Sequence, residues 1–352
     1  MKRPVHSADF LANLALRLLA AVNVLFALGF LATLLLVSQA RAEVATCAGI
    51  DLLAQFEAEE PETYARLQAE AAAVPNGSGL LWKVEKPGVE PSFLFGTMHL
   101  TDPRVTDLTD AARAAYDSAG TVVIETTDVL DQAKMMAAMF ERPDLMMYTD
   151  GATLTSSLPP EKAKIIEDGL SARGIPPASV SKMKPWMLAA TLSIPACETA
   201  RQAAGLRILD VKLARDAEAR GKAVAGLETM IGQLDAMASL PLDFHIDGLI
   251  ATLDLGDRID DVFETMIVLY HREEIGMIWP LFHAVLPEGE AGAYGAFEQV
   301  MIDARNATMR DNAIPFLDAG GAFIAVGALH LPGERGLVEM LRAAGYTVSP
   351  AG

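Results

Sequence analysis

Apolar positions along the chain follow two patterns. Short runs rich in β-branched and aromatic residues, apolar on both faces, occur at residues 80–84, 93–95, 121–124, 223–227, 323–326 and 346–348. Such runs predict strands buried within an α/β sheet. Between them, apolar residues recur at helical spacing over 52–74 (with a break near Pro61), 108–116, the whole of 131–195 as helices punctuated by Pro159, Pro176-Pro177 and Pro185, 210–220, 230–317 and 336–344. The alternation predicts an α/β fold: a central mixed β-sheet with helices on both sides and helical insertions. A methionine stripe at Met135, Met136, Met139, Met146 and Met147 is expected to be core or a groove wall.

Several of these strands end in chemistry. The run Ser92-Phe93-Leu94-Phe95 passes into Gly96-Thr97-Met98-His99, and Phe323-Ile324-Ala325-Val326 passes into Gly327-Ala328-Leu329-His330. Both segments read G-x-x-H, with the glycine expected to let the backbone turn or approach a ligand closely. The strand at 121–124 is followed by Glu125, and that at 223–227 by Glu228. Ligands collect at the carboxyl ends of strands in open α/β sheets, so the two G-x-x-H ends are expected at one cavity. Four ends carrying His or Glu exceed what stability requires, because an uncompensated buried carboxylate is costly. Any one of them has a plainer reading; Glu228 alone suits a helix N-cap or an ion pair with Arg207. His245, His271 and His283 lack partner spacing and are expected to be surface or internally satisfied histidines.

The apolar pattern differs ahead of the α/β region. Lys2, Arg3 and Arg17 precede an almost unbroken apolar run over residues 18–37, followed by Ser38-Gln39-Ala40-Arg41-Ala42. Residues 1–42 are expected to be a signal peptide cut after an Ala-x-Ala site or an uncleaved anchor in the inner membrane, since roughly 20 apolar residues span a bilayer. Both expectations place residues 43–352 as one exported domain, periplasmic or secreted. Cys47 and Cys197 are the chain's two cysteines. In an exported chain they suit a disulfide, and two unrelated buried thiols fit the spacing equally well.

Composition narrows the partners. The 352 residues are 51% hydrophobic and 21% charged, with net charge −18. That balance is globular and argues against nucleic acid, which requires a basic face. The expected partner is a peptide or small-molecule substrate. Histidine nitrogens and carboxylate oxygens are the usual ligands of a catalytic zinc, manganese or cobalt ion. His99, Glu125 and His330 are the candidate ligands, leaving open positions for water. Without a metal, Glu125 and a histidine can activate water as base and acid. No G-x-S-x-G elbow, Walker loop or dinucleotide fingerprint is present.

In this order, Leu81-Trp82, Gly96-Thr97-Met98-His99, Val123-Ile124-Glu125, Leu209-Asp210, Gly226-Leu227-Glu228-Thr229, Arg305-Asn306 and Gly327-Ala328-Leu329-His330 resemble the TraB/GumN family. That family stands within the wider group of Tiki, erythromycin-esterase-like and ChaN-like proteins. The resemblance implies an α/β fold with the two G-x-x-H ends and Glu125 in one cavity and, by similarity to Tiki members, a metal-dependent peptidase. It implies His99, Glu125 and His330 as the metal-binding or catalytic set. Glu228, Arg305 and Asn306 follow as assisting groups, with Gly96, Gly327 and Asp210 behind them. The alternatives are a protein that sequesters a peptide or ligand without turnover, and a metal-free esterase-like hydrolase.

Overall fold

The apolar runs pair into one sheet in a computed structural model that describes residues 46–285 and 291–352. Six strands are formed: β1 (Leu81–Glu85), β2 (Ser92–Thr97), β3 (Thr121–Ile124), β4 (Ala223–Gly226), β5 (Ala322–Gly327) and β6 (Thr347–Pro350). Their order is β4-β3-β5-β2-β1-β6. The neighbours β4, β3, β5 and β2 are mutually parallel, while β1 runs antiparallel to β2 and to β6. The sheet is therefore mixed. Its parallel half carries four strand ends on one edge, and β5, the fifth strand in the chain, lies between β3 and β2.

Strand alternation divides the core into two layers. Phe95, Val122, Ile124, Phe323 and Ala325 face one layer, which takes in the helices Leu209–Ala219 and Arg258–His271. Leu94, Val123, Ile324 and Val326 face the other, which takes in the helices Ala304–Ala319 and Leu337–Ala343. Each parallel strand is thus apolar on both sides, the burial that the unbroken runs predict. A third cluster built on Ile166, Leu170, Leu188, Ile246 and Leu249 gives the helical insertion its own core.

Prolines punctuate that insertion. Residues 131–195 form separate helices, among them Pro160–Ala172, Pro177–Val180 and Pro185–Leu192, each with proline in its first turn, but are not wholly helical, since residues 146–159 form no helix. Proline lacks the N–H that an interior helical position must donate, so it starts a helix more readily than it continues one. Of the two expectations for the methionine stripe, the groove wall fits: Met136 lines a cavity with Leu130, Asp131 and Arg215. No residue of the helix Gln132–Glu141 is buried, and Phe140 is 76% exposed, so this stretch is not core. Among the described residues no helix is long and apolar enough to cross a membrane. The leader or anchor expected within residues 1–42 lies outside the described residues.

Cys47 and Cys197 meet as a disulfide with their Cα atoms 5.3 Å apart. The bond ties the start of the described chain to the helix Ala196–Ala203.

Candidate functional site

Four consecutive parallel strands deliver four side chains to one edge. Glu125 directly follows β3, Glu228 lies two residues beyond β4, and His99 two beyond β2, while His330 closes a single 3-10 turn, Ala328–His330, that follows β5. The register places Ile124 opposite both Gly226 and Ala325, and Thr97 opposite Gly327, so the ends lie side by side. The Leu227 and Glu228 amides both donate to the Glu125 carbonyl, at 3.0 and 2.7 Å, which joins the ends of β3 and β4 beyond the ladder.

Glu125 is the hub. Its Oε1 accepts the Gly327 amide at 2.7 Å, and its Oε2 accepts Arg305 Nη2 at 2.7 Å and Gln233 Nε2 at 3.1 Å. His99 Nε2 and His330 Nε2 stand 3.9 and 4.0 Å from the same Oε1. Burial alone would raise the Glu125 pKa, but His330, His99, Arg305 and the Gly327 amide outweigh it and hold the carboxyl at about 2. It is ionised at neutral pH.

The two histidines differ. His330 is buried, and its Nδ1 lies 2.7 Å from Asn306 Oδ1. Asn306 donates its own Nδ2 to the Arg335 carbonyl at 2.8 Å, so Oδ1 is the end that faces the ring. His330 therefore carries its proton on Nδ1 and presents the Nε2 lone pair to Glu125. Burial, with Arg305 and His99 nearby, pushes its pKa down to about 4 against the opposing pull of Glu125, and the ring is neutral at pH 7. His99 is 55% exposed at its side chain and opens the site to solvent. Its Nδ1 lies 3.4 Å from Asp210 Oδ2, a buried oxygen with no hydrogen-bond partner among the described residues. The Asp210 charge raises the His99 pKa, and Glu125 adds to it.

The helices that follow the strands supply the rest. Asp210 sits in the first turn of Leu209–Ala219, with Oδ1 held by the Thr97 hydroxyl at 2.7 Å. Arg305 enters from the start of Ala304–Ala319 and contacts Glu228 through Nε and Nη2 as well as Glu125. The partner of Glu228 is therefore Arg305, not Arg207. A five-residue π-helical segment, Gln299–Asp303, ends two residues before Arg305. Such segments re-aim the side chains that follow them and recur at functional sites.

The glycines of the two G-x-x-H segments are not turns. Gly96 lies inside β2 and Gly327 ends β5. A Cβ on Gly96 would meet Leu331 Cδ1 at 2.8 Å, and one on Gly327 would meet Glu125 Oε1 at 3.0 Å. Close approach is their common reason.

A model of the TraB/PrgY/gumN family matches residues 80–350, a span that begins just before β1 and ends with β6. The chain belongs to the TraB/PrgY/gumN family. No curated protein and no solved structure matches it.

Within this TraB/PrgY/gumN-family chain the expected set comes together: His99, Glu125, His330, Glu228, Arg305, Asn306 and Asp210 form one connected network. Among the described residues no group of three or more His, Cys, Asp or Glu side chains stands closely enough to hold a metal ion. Ligands of a tetrahedral zinc at roughly 2.0–2.1 Å lie about 3.4 Å from one another. The 3.9 and 4.0 Å separations at Glu125 Oε1 are wider than that. The donors nevertheless fit a metal in kind: Nδ1 of each ring faces an acceptor, as in metal-ligating histidines, and both Nε2 atoms face one carboxylate oxygen.

Gln233, Thr97 and Tyr270 were not legible as site residues. Gln233 bridges Glu125 and Glu228, and the Tyr270 hydroxyl donates to the Gly96 carbonyl at 2.8 Å. The one available signal was position: Gln233 lies one turn into a helix capped by Thr229, directly after Glu228.

Proposed function

We propose that this chain is an exported hydrolase of peptides or small molecules, with a zinc, manganese or cobalt ion held by His99, Glu125 and His330. The observation that carries the reading is convergence. Two imidazole Nε2 atoms approach one oxygen of an ionised carboxylate, whose hydrogen bond from the Gly327 amide leaves a lone pair toward the rings. A bound cation would accept that lone pair and supply polarisation of a scissile carbonyl and a lowered pKa for water.

The protein's own groups have definite tasks in this scheme. Asn306 fixes the His330 tautomer, so that its lone pair points into the centre. Asp210 does the same for His99 across a longer gap. Arg305 keeps Glu125 ionised and, with Gln233, holds its Oε2 away from the histidines. The exposed side of His99 is where substrate and water reach the centre. Export is supported by the Cys47–Cys197 disulfide, since such bonds persist in oxidising compartments.

A second reading rests on the opposite pKa directions of the histidines. His99 is raised and His330 lowered to about 4, the separation that assigns an acid and a base. A metal-free centre would use His99 as acid, with His330 and Glu125 on the accepting side. The test is hydrolysis of a peptide library by the parent chain, with and without chelator. Turnover that chelator abolishes and added metal restores supports the first reading. Turnover indifferent to chelator supports the second, and tight peptide binding with no product at any metal concentration overturns both in favour of sequestration.

A further inference from the structure

From the end of β2 at Thr97 to the helix that begins at Pro103, the backbone has neither strand nor helix to hold it, yet this segment presents His99. Upstream it is fixed by the Thr97 hydroxyl on Asp210. The ring contributes little, being 55% exposed and no nearer than 3.4 Å to Asp210 and 3.9 Å to Glu125. What fixes the downstream side comes from the disulfide-bonded helix Ala196–Ala203. Glu198, only 2% exposed, accepts the Thr101 amide at 3.1 and 3.2 Å on its two oxygens and the Thr101 hydroxyl at 2.8 Å. One turn on, Arg201 donates to Asp102 at 3.1 Å.

A fully buried carboxylate is an expensive way to join a helix to a turn, and it persists only where every lone pair is met. Here the donors are the Gln202 side chain and a residue two positions past a site histidine. Cys197, the residue before Glu198, carries the bond to Cys47. We propose that Glu198 is a positioning residue for His99: it clamps residues 98–102, and the Cys47–Cys197 disulfide anchors the helix from which it does so. The consequence for catalysis rests on the function proposed above; the clamp itself does not.

The experiment is amide hydrogen exchange, read by mass spectrometry on the full-length chain, for the parent, Glu198→Gln and the Cys47→Ser/Cys197→Ser pair. The amide introduced by Glu198→Gln puts an N–H donor where the carboxylate accepts, facing the Thr101 and Gln202 donors. Exchange over residues 98–102 is expected to quicken about tenfold or more in Glu198→Gln, with strands β3 and β5 unchanged, and by less in the serine pair. Unchanged exchange over 98–102, or an equal gain in β3 and β5, overturns the clamp. If Glu198→Gln does not fold, Thr101→Val decides: it removes one bond to Glu198, and the same local gain is required of it. A cobalt titration of the same proteins separates the two claims. Weaker cobalt binding in Glu198→Gln links the clamp to the site. A parent that binds no cobalt removes the metal reading and leaves the exchange result to decide the clamp alone.

Discussion

Arg305 joins Glu125 to Glu228 through a single nitrogen, with Nη2 2.7 Å from an oxygen of each. Both carboxylates and the guanidinium are largely buried. Removing the cation would leave two negative charges sharing one site. Arg305→Met is therefore expected to lose roughly 3–5 kcal/mol of stability at neutral pH. Part of that returns in mild acid, where one carboxyl takes up a proton. Urea unfolding at two pH values measures this, and equal stability of parent and variant at pH 7 would contradict the ion-pair account.

Glu125→Gln keeps the size of the side chain and removes the charge on which both histidines converge. Turnover should fall by about 10²–10⁴-fold, while the sheet remains folded by circular dichroism. Peptide binding that survives without product formation in the parent as well would point to sequestration.

The proposed metal site would bind with a definite pH dependence. A proton and a metal compete for His99 Nε2, and the His99 pKa lies above its ordinary value, chiefly through Asp210. Affinity should therefore rise with pH through and above 6.5. Asp210→Asn should move that rise to lower pH. One cobalt ion per chain in the parent, absent from His99→Ala and His330→Ala, is the expected stoichiometry; undiminished binding in either variant excludes the assigned ligands.

Acid should destabilise the fold in two windows. His330 titrates at about 4 when folded against an ordinary 6.5, so the unfolded chain binds the extra proton and stability falls as pH drops from 6.5 toward 4. Glu125 titrates at about 2 against 4.5, so its contribution is complete above 4.5 and is lost as pH falls toward 2. The raised His99 acts in the opposite sense, favouring the fold below its own folded pKa. His330→Gln should remove the upper window and narrow the lower one, because His330 is the first of the groups that hold the Glu125 pKa down, in denaturation curves taken at half-unit steps of pH.

Gly327→Ala should be more damaging than an exposed glycine substitution, because its Cβ would meet Glu125 Oε1 at 3.0 Å and His330 Cδ2 at 3.4 Å. A loss of about 1–3 kcal/mol is expected from overpacking, together with weakened activity. Gly120→Ala, where a Cβ meets nothing within 4 Å, is the control.

The strands were legible because burial on both faces writes itself into a run of Val, Ile and Phe. Val122, Val123 and Ile124 are each within 1% of complete burial. The strand-end residues were legible because His and Glu directly follow those runs. Asp210, Arg305 and Asn306 came from the family resemblance, since nothing in a helical stretch distinguishes a site-facing arginine from a solvated one. Gln233 and Glu198 were missed for a related reason. Glu198 meets Thr101 across 97 positions and Gln233 meets Glu125 across 108, and no local pattern encodes such pairings. Glycine misled in one respect: a missing Cβ inside a strand looks the same in sequence as a turn.

Strand order has a consequence in time. Glu125 and Gly327 are bonded neighbours separated by 202 positions, because β5 lies between two strands made long before it. Until residues 322–330 emerge, β2 and β3 have no shared neighbour and His99 has no fixed distance to Glu125. Closing loops of that length makes assembly of the parallel half slow. A growing chain therefore carries the pieces of this network through most of synthesis unassembled. Insertion of one late strand brings them into register together.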